Sequence, residues 1–169
     1  MERLDFQNDW PMPNEFLLEL GRMTAMWPSL ENTVNVSIGK LMGYSDLLDA
    51  RVVIALAHSN FQQRVDILAS LCDQLAADYP QLEKHSAVIK QIKSAQTGRN
   101  KYAHNGMSPD DDGKVSVALA SARGVLKTTV ETVHLNDIKE VTAKIHEASC
   151  ALHSMITNNH LAPIWEKRT

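Results

Sequence analysis

The sequence has few of the residues that build disulfide-rich or membrane-spanning proteins. It contains two cysteines, seven glycines and six prolines in 169 residues. The cysteines, Cys72 and Cys150, fall in separate amphipathic segments, so we expect small buried thiols rather than a disulfide framework. The longest apolar run, at 52–57, has six residues, whereas a membrane-spanning helix needs about 20. We therefore expect no membrane partner.

The N-terminal residues also lack the features of a secretory signal. The first fourteen carry Glu2, Asp5 and Asp9, where a signal peptide needs a basic start and an apolar stretch. We therefore expect a cytoplasmic protein. The chain has 17 basic and 20 acidic residues, for a net charge of −3, which excludes a protein that is basic overall but allows a local basic site.

The remaining composition is typical of one helical domain. Hydrophobic residues make up 44% and charged residues 22%, which are ordinary globular values. A chain of this length buries one core, so we predict a single domain over 1–169. Leucine, alanine and methionine recur at helical spacings. The predicted fold is all-α, a four- to five-helix bundle with a small β-hairpin insertion between the last two long helices.

Apolar residues at intervals of three and four predict the helices. The first begins with Asn14 as its N-cap. Because proline removes one backbone donor, Pro28 predicts a kink or a break, and the uninterrupted apolar stripe favours a kink. A short helix is predicted within 46–58, where an extended segment is the alternative. Alternating apolar residues at 115–119 and a Thr/Val-rich run at 125–133 predict the hairpin.

Two capping boxes predict where later helices begin. Ser59 with Gln62 has this spacing, and so does Asp137 with Glu140, because each pair joins a short polar residue to a longer one three positions on. Between the two helices that they introduce, another helix is predicted at 81–104.

The helix at 81–104 ends in the most informative segment of the chain. Its apolar stripe, continued in steps of three and four, reaches Arg99 and then Tyr102, so Arg99 points toward the packed face. An unpaired buried guanidinium costs several kcal/mol. Arg99 must therefore be paired or line a cleft. The segment reads Arg99-Asn100-Lys101-Tyr102-Ala103-His104.

The spacing of this segment limits which side chains meet. On an ideal helix Asn100 and His104 share a face, whereas Arg99 and His104 lie about 140° apart. Arg99 and His104 converge only if the helix ends near Asn105-Gly106 and lets His104 swing, or if a second copy of the helix packs across the first.

These residue types support phosphodiester cleavage without a metal. A histidine moves a proton at a ribose 2′-hydroxyl or at the leaving oxygen. An arginine holds the phosphate as negative charge develops on it, and Asn100 is suited to bond the phosphate or to orient the imidazole. DNA lacks the 2′-hydroxyl and cannot react in this way. RNA is therefore the predicted partner, and we predict no cofactor.

The pattern R-N-x-x-x-H, late in a helix of an all-α domain, resembles the signature of the HEPN superfamily. The resemblance implies a four- or five-helix bundle, usually dimeric. Many members are metal-independent endoribonucleases of toxin–antitoxin and other defence systems, so an antitoxin or another protein is a candidate partner. By this match Arg99, Asn100 and His104 are the catalytic residues. Gly106 departs from HEPN toxins that a partner nucleotidyltransferase silences, which typically carry a tyrosine there.

Local charge predicts further contacts with RNA. The helix at 81–104 holds five basic residues and one acidic residue, and Lys90, Lys93 and Lys101 lie near one face. Lys93, Lys101 and Tyr102 are predicted to bind substrate. Against this, Asp110-Asp111-Asp112 follows the motif and would repel RNA if it folded back. The run lacks the alternating ligand pattern of a calcium loop, so a solvated turn is the better interpretation.

Two alternatives remain open for the motif. In the first, Arg99 would form a structural ion pair with Glu31 or Asp66, and His104 would only cap the helix. In the second, the domain would be a non-catalytic dimeric interaction module or RNA-binding module. If two copies share the groove, a homodimer of about twice 18.8 kDa is predicted.

A metal site is the weaker interpretation of another cluster. His146, Cys150 and His153 share one face of the last helix, but no fourth ligand is evident, so we predict no metal.

Trp10 and Trp165 lie near the two ends of the chain. We expect them to pack against each other or against other neighbours.

Overall fold

The computed structural model describes residues 11–46, 49–122 and 124–166. Over these residues the chain is mainly helical and carries one small antiparallel sheet, which confirms the predicted predominance of helices. No described helix has the length and apolar character needed to cross a bilayer. The elements are α1 (Asn14–Leu41), α2 (Ala50–Leu56), α3 (Phe61–Leu75), a single 3-10 turn (Pro80–Leu82), α4 (His85–Ala103), β1 (Met107–Pro109), β2 (Val115–Ser121), β3 (Lys127–Thr132) and α5 (Leu135–Thr157).

The hydrophobic core lies between the four long helices. α1 packs along α5 and against α3, and α4 packs against α5 and α3. Each fully buried aliphatic side chain contributes about 1.5–3 kcal/mol relative to an exposed one, so these contacts hold the helices together. Fully buried members from the four helices include Leu30, Ile38, Leu68, Ile92, Ile138, Ile145 and Leu152.

The first helix differs from its prediction at its start. Asn14 is the first helical residue rather than the cap, and Pro13 occupies the cap position without a side-chain hydrogen bond. Proline is pre-set for a helix start because its φ is fixed. α1 continues through Pro28 as one helix, so the predicted alternative of a break is wrong.

The third helix begins one residue later than the Ser59–Gln62 box predicted. Asn60 Oδ1 accepts a hydrogen bond from the Gln63 N–H at 3.0 Å, and Gln63 Oε1 accepts one from the Asn60 N–H at 2.8 Å. The capping box that forms is therefore Asn60 with Gln63, one residue after the predicted pair.

The last helix begins before its predicted cap. The Asp137 carboxylate accepts a hydrogen bond from the His134 N–H at 3.0 Å, so Asp137 lies in the first turn instead of preceding it with Glu140 as partner.

The short helix predicted within 46–58 forms as α2, and Asp49 caps it by accepting from the Arg51 N–H at 2.8 Å. Residues 47 and 48 lie outside the described residues.

The predicted hairpin forms from β2 and β3, and β1 adds a third strand to it. The strand order is β1-β2-β3, with Met107 opposite Val117 and Val117 opposite Glu131. β1 escaped prediction because it has three residues and ends in proline. Val115 and Val117 are buried and anchor the sheet to the helices.

Gly98 marks a close approach between α4 and α5. A Cβ atom at position 98 would lie 2.7 Å from Cγ2 of Val141, which is well inside van der Waals contact. Val141 cannot turn aside freely, because a β-branched side chain has one preferred χ1 rotamer in a helix. The absence of a side chain at position 98 therefore sets the spacing of the two helices.

We predict that Gly98→Ala and Gly21→Ala shift stability in opposite directions. Position 21 lies in α1 with nothing within 4 Å of an added Cβ, so alanine there raises the free energy of unfolding by up to about 1 kcal/mol. At position 98 the same gain in helix propensity is outweighed by overpacking, which costs about 1–3 kcal/mol. Urea denaturation of both variants measures the difference. Equal stabilisation by both would contradict the close approach.

Candidate active site

The end of α4 positions the motif. The helix ends at Ala103, and His104 takes φ −120° and ψ 0°, outside the helical region. The Asn105 side chain donates to the carbonyl oxygens of Asn100 at 3.3 Å and Lys101 at 2.9 Å. These bonds satisfy acceptors that the last turn of a helix leaves free. The helix therefore ends where the sequence predicted, and His104 is free to turn back.

This turn brings all three predicted catalytic residues together within one chain. Nη1 of Arg99 lies 2.6 Å from Nε2 of His104 and donates to Oδ1 of Asn100 at 3.2 Å. Of the two routes that the sequence left open, the turn at the helix end is the one observed, and a second copy is not needed to join Arg99 to His104. Because a guanidinium only donates, a hydrogen bond at this contact requires Nε2 of His104 to be the acceptor.

The motif lies in an open cleft between α1, the start of α3 and the end of α4. The cleft has a volume of about 440 Å³. The Arg99 guanidinium lies 5.3 Å from the centre of the Trp27 ring, within the range of a cation–π contact. Trp27 is buried, and its ring centre lies 4.6 Å from that of Phe61. The cleft is lined by Trp27, Glu31, Asn60, Phe61, Gln62, Gln96, Arg99, Asn100 and His104.

Arg99 has no ion-pair partner among the residues that the structure describes. Asp66 is bonded instead to Lys93 at 2.9 Å, and this bond lowers the pKa of the Asp66 carboxyl. Glu31 lines the cleft but forms no salt bridge with Arg99 within the described chain. The alternative of a structural ion pair is therefore wrong for both predicted partners, and the positive charge of Arg99 faces the cleft.

The three predicted substrate-binding residues lie outside the cleft. Lys93 is held by Asp66, and Lys101 bonds Glu131 on β3 at 2.7 Å, which raises the pKa of Lys101. Tyr102 is buried beneath Lys101, and burial raises the pKa of its hydroxyl. Contact between RNA and these side chains stays a prediction.

The acidic segment after the motif forms a local turn. Asp110 Oδ1 accepts hydrogen bonds from the backbone N–H groups of Asp112 at 3.1 Å and Lys114 at 2.8 Å. The segment is exposed and none of it lines the cleft. This geometry agrees with the interpretation as a solvated turn.

His146 and Cys150 of α5 have structural partners, and Nε2 of His146 lies 3.7 Å from Sγ of Cys150, whereas His153 is exposed. His146 Nε2 accepts a hydrogen bond from the Ile164 N–H at 3.1 Å, and its ring meets Trp165 edge-on with centres 5.2 Å apart. Over 11–46, 49–122 and 124–166, no group of three or more His, Cys, Asp or Glu residues is placed to hold a metal. Trp10 lies outside the described residues. Both cysteines are free and buried, as predicted, and burial raises the pKa of Cys72 to about 11.

Several cleft residues were not predicted from the sequence as site residues. Trp27 and Phe61 have apolar residues at helical spacing around them, a pattern that is typical of core residues, and the side-chain amides of Asn60 and Gln96 have no motif around them. Among these residues, Glu31 has a sequence feature that indicates a site. It lies four residues after Trp27 on the apolar face of the first helix, where a carboxylate requires a partner or a cleft.

No family model, no curated protein and no solved structure matches this chain. The case for the cleft therefore depends on its own geometry.

We predict that Arg99→Ala changes the free energy of unfolding by no more than about 1 kcal/mol, as is usual for a side chain without a buried ion-pair partner. Loss of a buried ion-pair partner would instead cost about 3–5 kcal/mol. Ile92→Ala is the control on the same helix, because Ile92 is fully buried and its truncation costs about 2–5 kcal/mol. Thermal melts compare the two. A loss in Arg99→Ala as large as in Ile92→Ala would show that Arg99 is structural.

Proposed function

We propose that the protein is a metal-independent endoribonuclease that cleaves single-stranded RNA. One observation carries the proposal: the contact of 2.6 Å between Arg99 and His104, in an open cleft where Arg99 has no carboxylate partner among the described residues. A fixed cation beside a neutral imidazole is an arrangement suited to hold a phosphodiester and to move its protons.

The reaction is an internal transfer at phosphorus. A phosphate entering the cleft draws the Arg99 donors onto its non-bridging oxygens, because a guanidinium bonds an anion more strongly than a neutral nitrogen. This frees Nε2 of His104 to take the proton of the ribose 2′-hydroxyl. The O2′–P bond forms as the P–O5′ bond breaks. The leaving O5′ takes a proton from water, and His104 afterwards returns to water the proton that it took from the 2′-hydroxyl. The products are a 2′,3′-cyclic phosphate and a 5′-hydroxyl.

The walls of the cleft favour an unpaired strand. Phe61 is partly exposed beside the motif, and aromatic rings stack on bases that are not held in a duplex. The amides of Asn60, Gln62 and Gln96 line the same cleft and have donors and acceptors that match base edges. Asn100, bonded to Arg99, positions the guanidinium.

The HEPN assignment is part of the proposal. It is supported by R-N-x-x-x-H at the end of α4 and by four long helices that pack against one another, with α2 as a fifth. The assignment implies a helical bundle and a cytoplasmic homodimer. It also implies a role in a toxin–antitoxin or defence system, in which an antitoxin or another protein is the partner.

A cleavage assay tests the proposal. We expect the purified protein to cut a single-stranded RNA oligonucleotide in the presence of EDTA and to leave a cyclic phosphate end. A matched oligonucleotide with 2′-deoxyribose throughout should stay intact, because the attacking group is absent. Mass spectrometry of the products identifies the new ends.

The variants distinguish the cleft from a contaminating nuclease. His104→Ala and Arg99→Ala should each lower the cleavage rate by at least about 100-fold, the usual range for loss of a proton-transfer or charge-stabilising group. His153→Ala is the matched control, since His153 is an exposed histidine on α5. Equal cutting by all variants, or none by the wild type, would contradict the proposal, and RNA binding without cleavage would favour a non-catalytic module.

A further inference from the structure

The strand β3 is an open edge of the sheet. It pairs with β2 on one side, and no described strand pairs with its other side. Residues 127–131 are all exposed, so the helices do not cover this part of the sheet. Val130 is 74% exposed, and Leu126 in the preceding turn is 71% exposed. An exposed apolar edge is a surface on which another strand can pair.

The hydrogen-bonding pattern shows which backbone groups are available at this edge. The Val133 N–H donates to the Val115 carbonyl at 2.8 Å, and bonded pairs alternate along an antiparallel ladder. By the register of β2 and β3, residues 127, 129 and 131 direct their N–H and C=O groups toward β2. The groups of Thr128, Val130 and Thr132 therefore point away from the sheet.

We propose that a second copy of this chain occupies the edge, with the two β3 strands antiparallel about a two-fold axis at Thr129. Residues whose numbers sum to twice 129 then lie opposite one another. The outward N–H and C=O groups of Thr128 bond those of the partner's Val130. The two-fold axis repeats this pair, so Val130 bonds the partner's Thr128 in the same way. The two three-stranded sheets become one sheet of six strands.

Charge selects this register. With the axis at Thr129, Lys127 lies opposite the partner's Glu131, and symmetry repeats the pair. Opposite charges directly across an antiparallel pair are stabilising, and threonine pairs well with threonine or a β-branched residue. With the axis at Val130, Lys127 would instead face the partner's Val133, and neither charge would have an opposite. Glu131 is held on this face of the sheet by Lys101 at 2.7 Å.

The self-complementary strand makes a second copy the favoured occupant. A lysine and a glutamate at equal distances from Thr129 match an inverted copy of the same strand. Opposed residues lie on the same face of a sheet, so both helical layers would lie on one face of the joined sheet. The strand pairing alone is small for a protein interface, so we infer a dimer with a dissociation constant in the micromolar range. This inference does not depend on the proposed ribonuclease activity.

Sedimentation velocity over a concentration series, from low micromolar to several hundred micromolar, tests the dimer. We expect the wild type to shift from 18.8 kDa toward twice that mass. Val130→Pro removes an outward N–H and leaves the β2 ladder intact, because proline is tolerated on an edge strand. It should stay monomeric with an unchanged far-ultraviolet spectrum. Val130→Thr keeps the N–H and should still dimerise.

Engineered cysteines test the register independently of any effect on folding. The two copies of Thr129 form a pair without mutual hydrogen bonds, where Cα atoms lie about 4.5 Å apart, within disulfide range. Thr129→Cys should give a reducible dimer on mild oxidation. Thr132→Cys should not, because its two copies lie six residues out of register. The native Cys72 and Cys150 are buried, so cross-linking of the wild type measures the background level.

Three outcomes would overturn the proposal. They are a wild type that stays monomeric throughout the series, a Val130→Pro variant that dimerises as the wild type does, and cross-linking of Thr132→Cys that equals that of Thr129→Cys. The second would place the dimer interface elsewhere on the chain, and the third would exclude the register about Thr129.

Discussion

The contact between α4 and α5 at Gly98 is the constraint on which the cleft depends. A side chain at this position would collide with Val141, so α4 presents its bare backbone to α5. Successive residues of a helix are rotated by about 100°. With Gly98 directed at α5, Arg99 is directed away from it, toward Trp27 on α1. The packing of α4 on α5 at Gly98 thus leaves Arg99 on a side of α4 that faces the cleft.

The end of α4 completes the arrangement. Inside a helix His104 would point away from Arg99, and the bonds from Asn105 to the last carbonyls end the helix just before it. The same chain reversal leads into β1, whose partner strand is anchored by buried valines. Local hydrogen bonding, rather than a second subunit, therefore joins Arg99 and His104. The proposed edge pairing through β3 leaves this contact unchanged.

The sequence predicts the parts of this protein that depend on local periodicity and not those that depend on contacts between elements. The long helices and the hairpin follow from apolar spacing. The helix starts follow less closely from the sequence, since Ser59 and Asn60 are both suited to cap a helix and the structure uses Asn60. The Arg99–His104 contact requires a non-helical backbone at His104, so sequence indicates it only as one of two options. The approach of Trp27 and Phe61 to the motif joins residues that are distant in sequence, and no spacing rule reveals it.

A double-mutant cycle on the cleavage rate tests most directly whether Arg99 and His104 act as one catalytic unit. Residues that act together show strongly non-additive losses. The rate of the variant that carries both Arg99→Ala and His104→Ala should therefore be close to that of His104→Ala alone. If the two separate losses multiplied in the double variant, the two side chains would act independently, and the proposed role of their contact would be wrong.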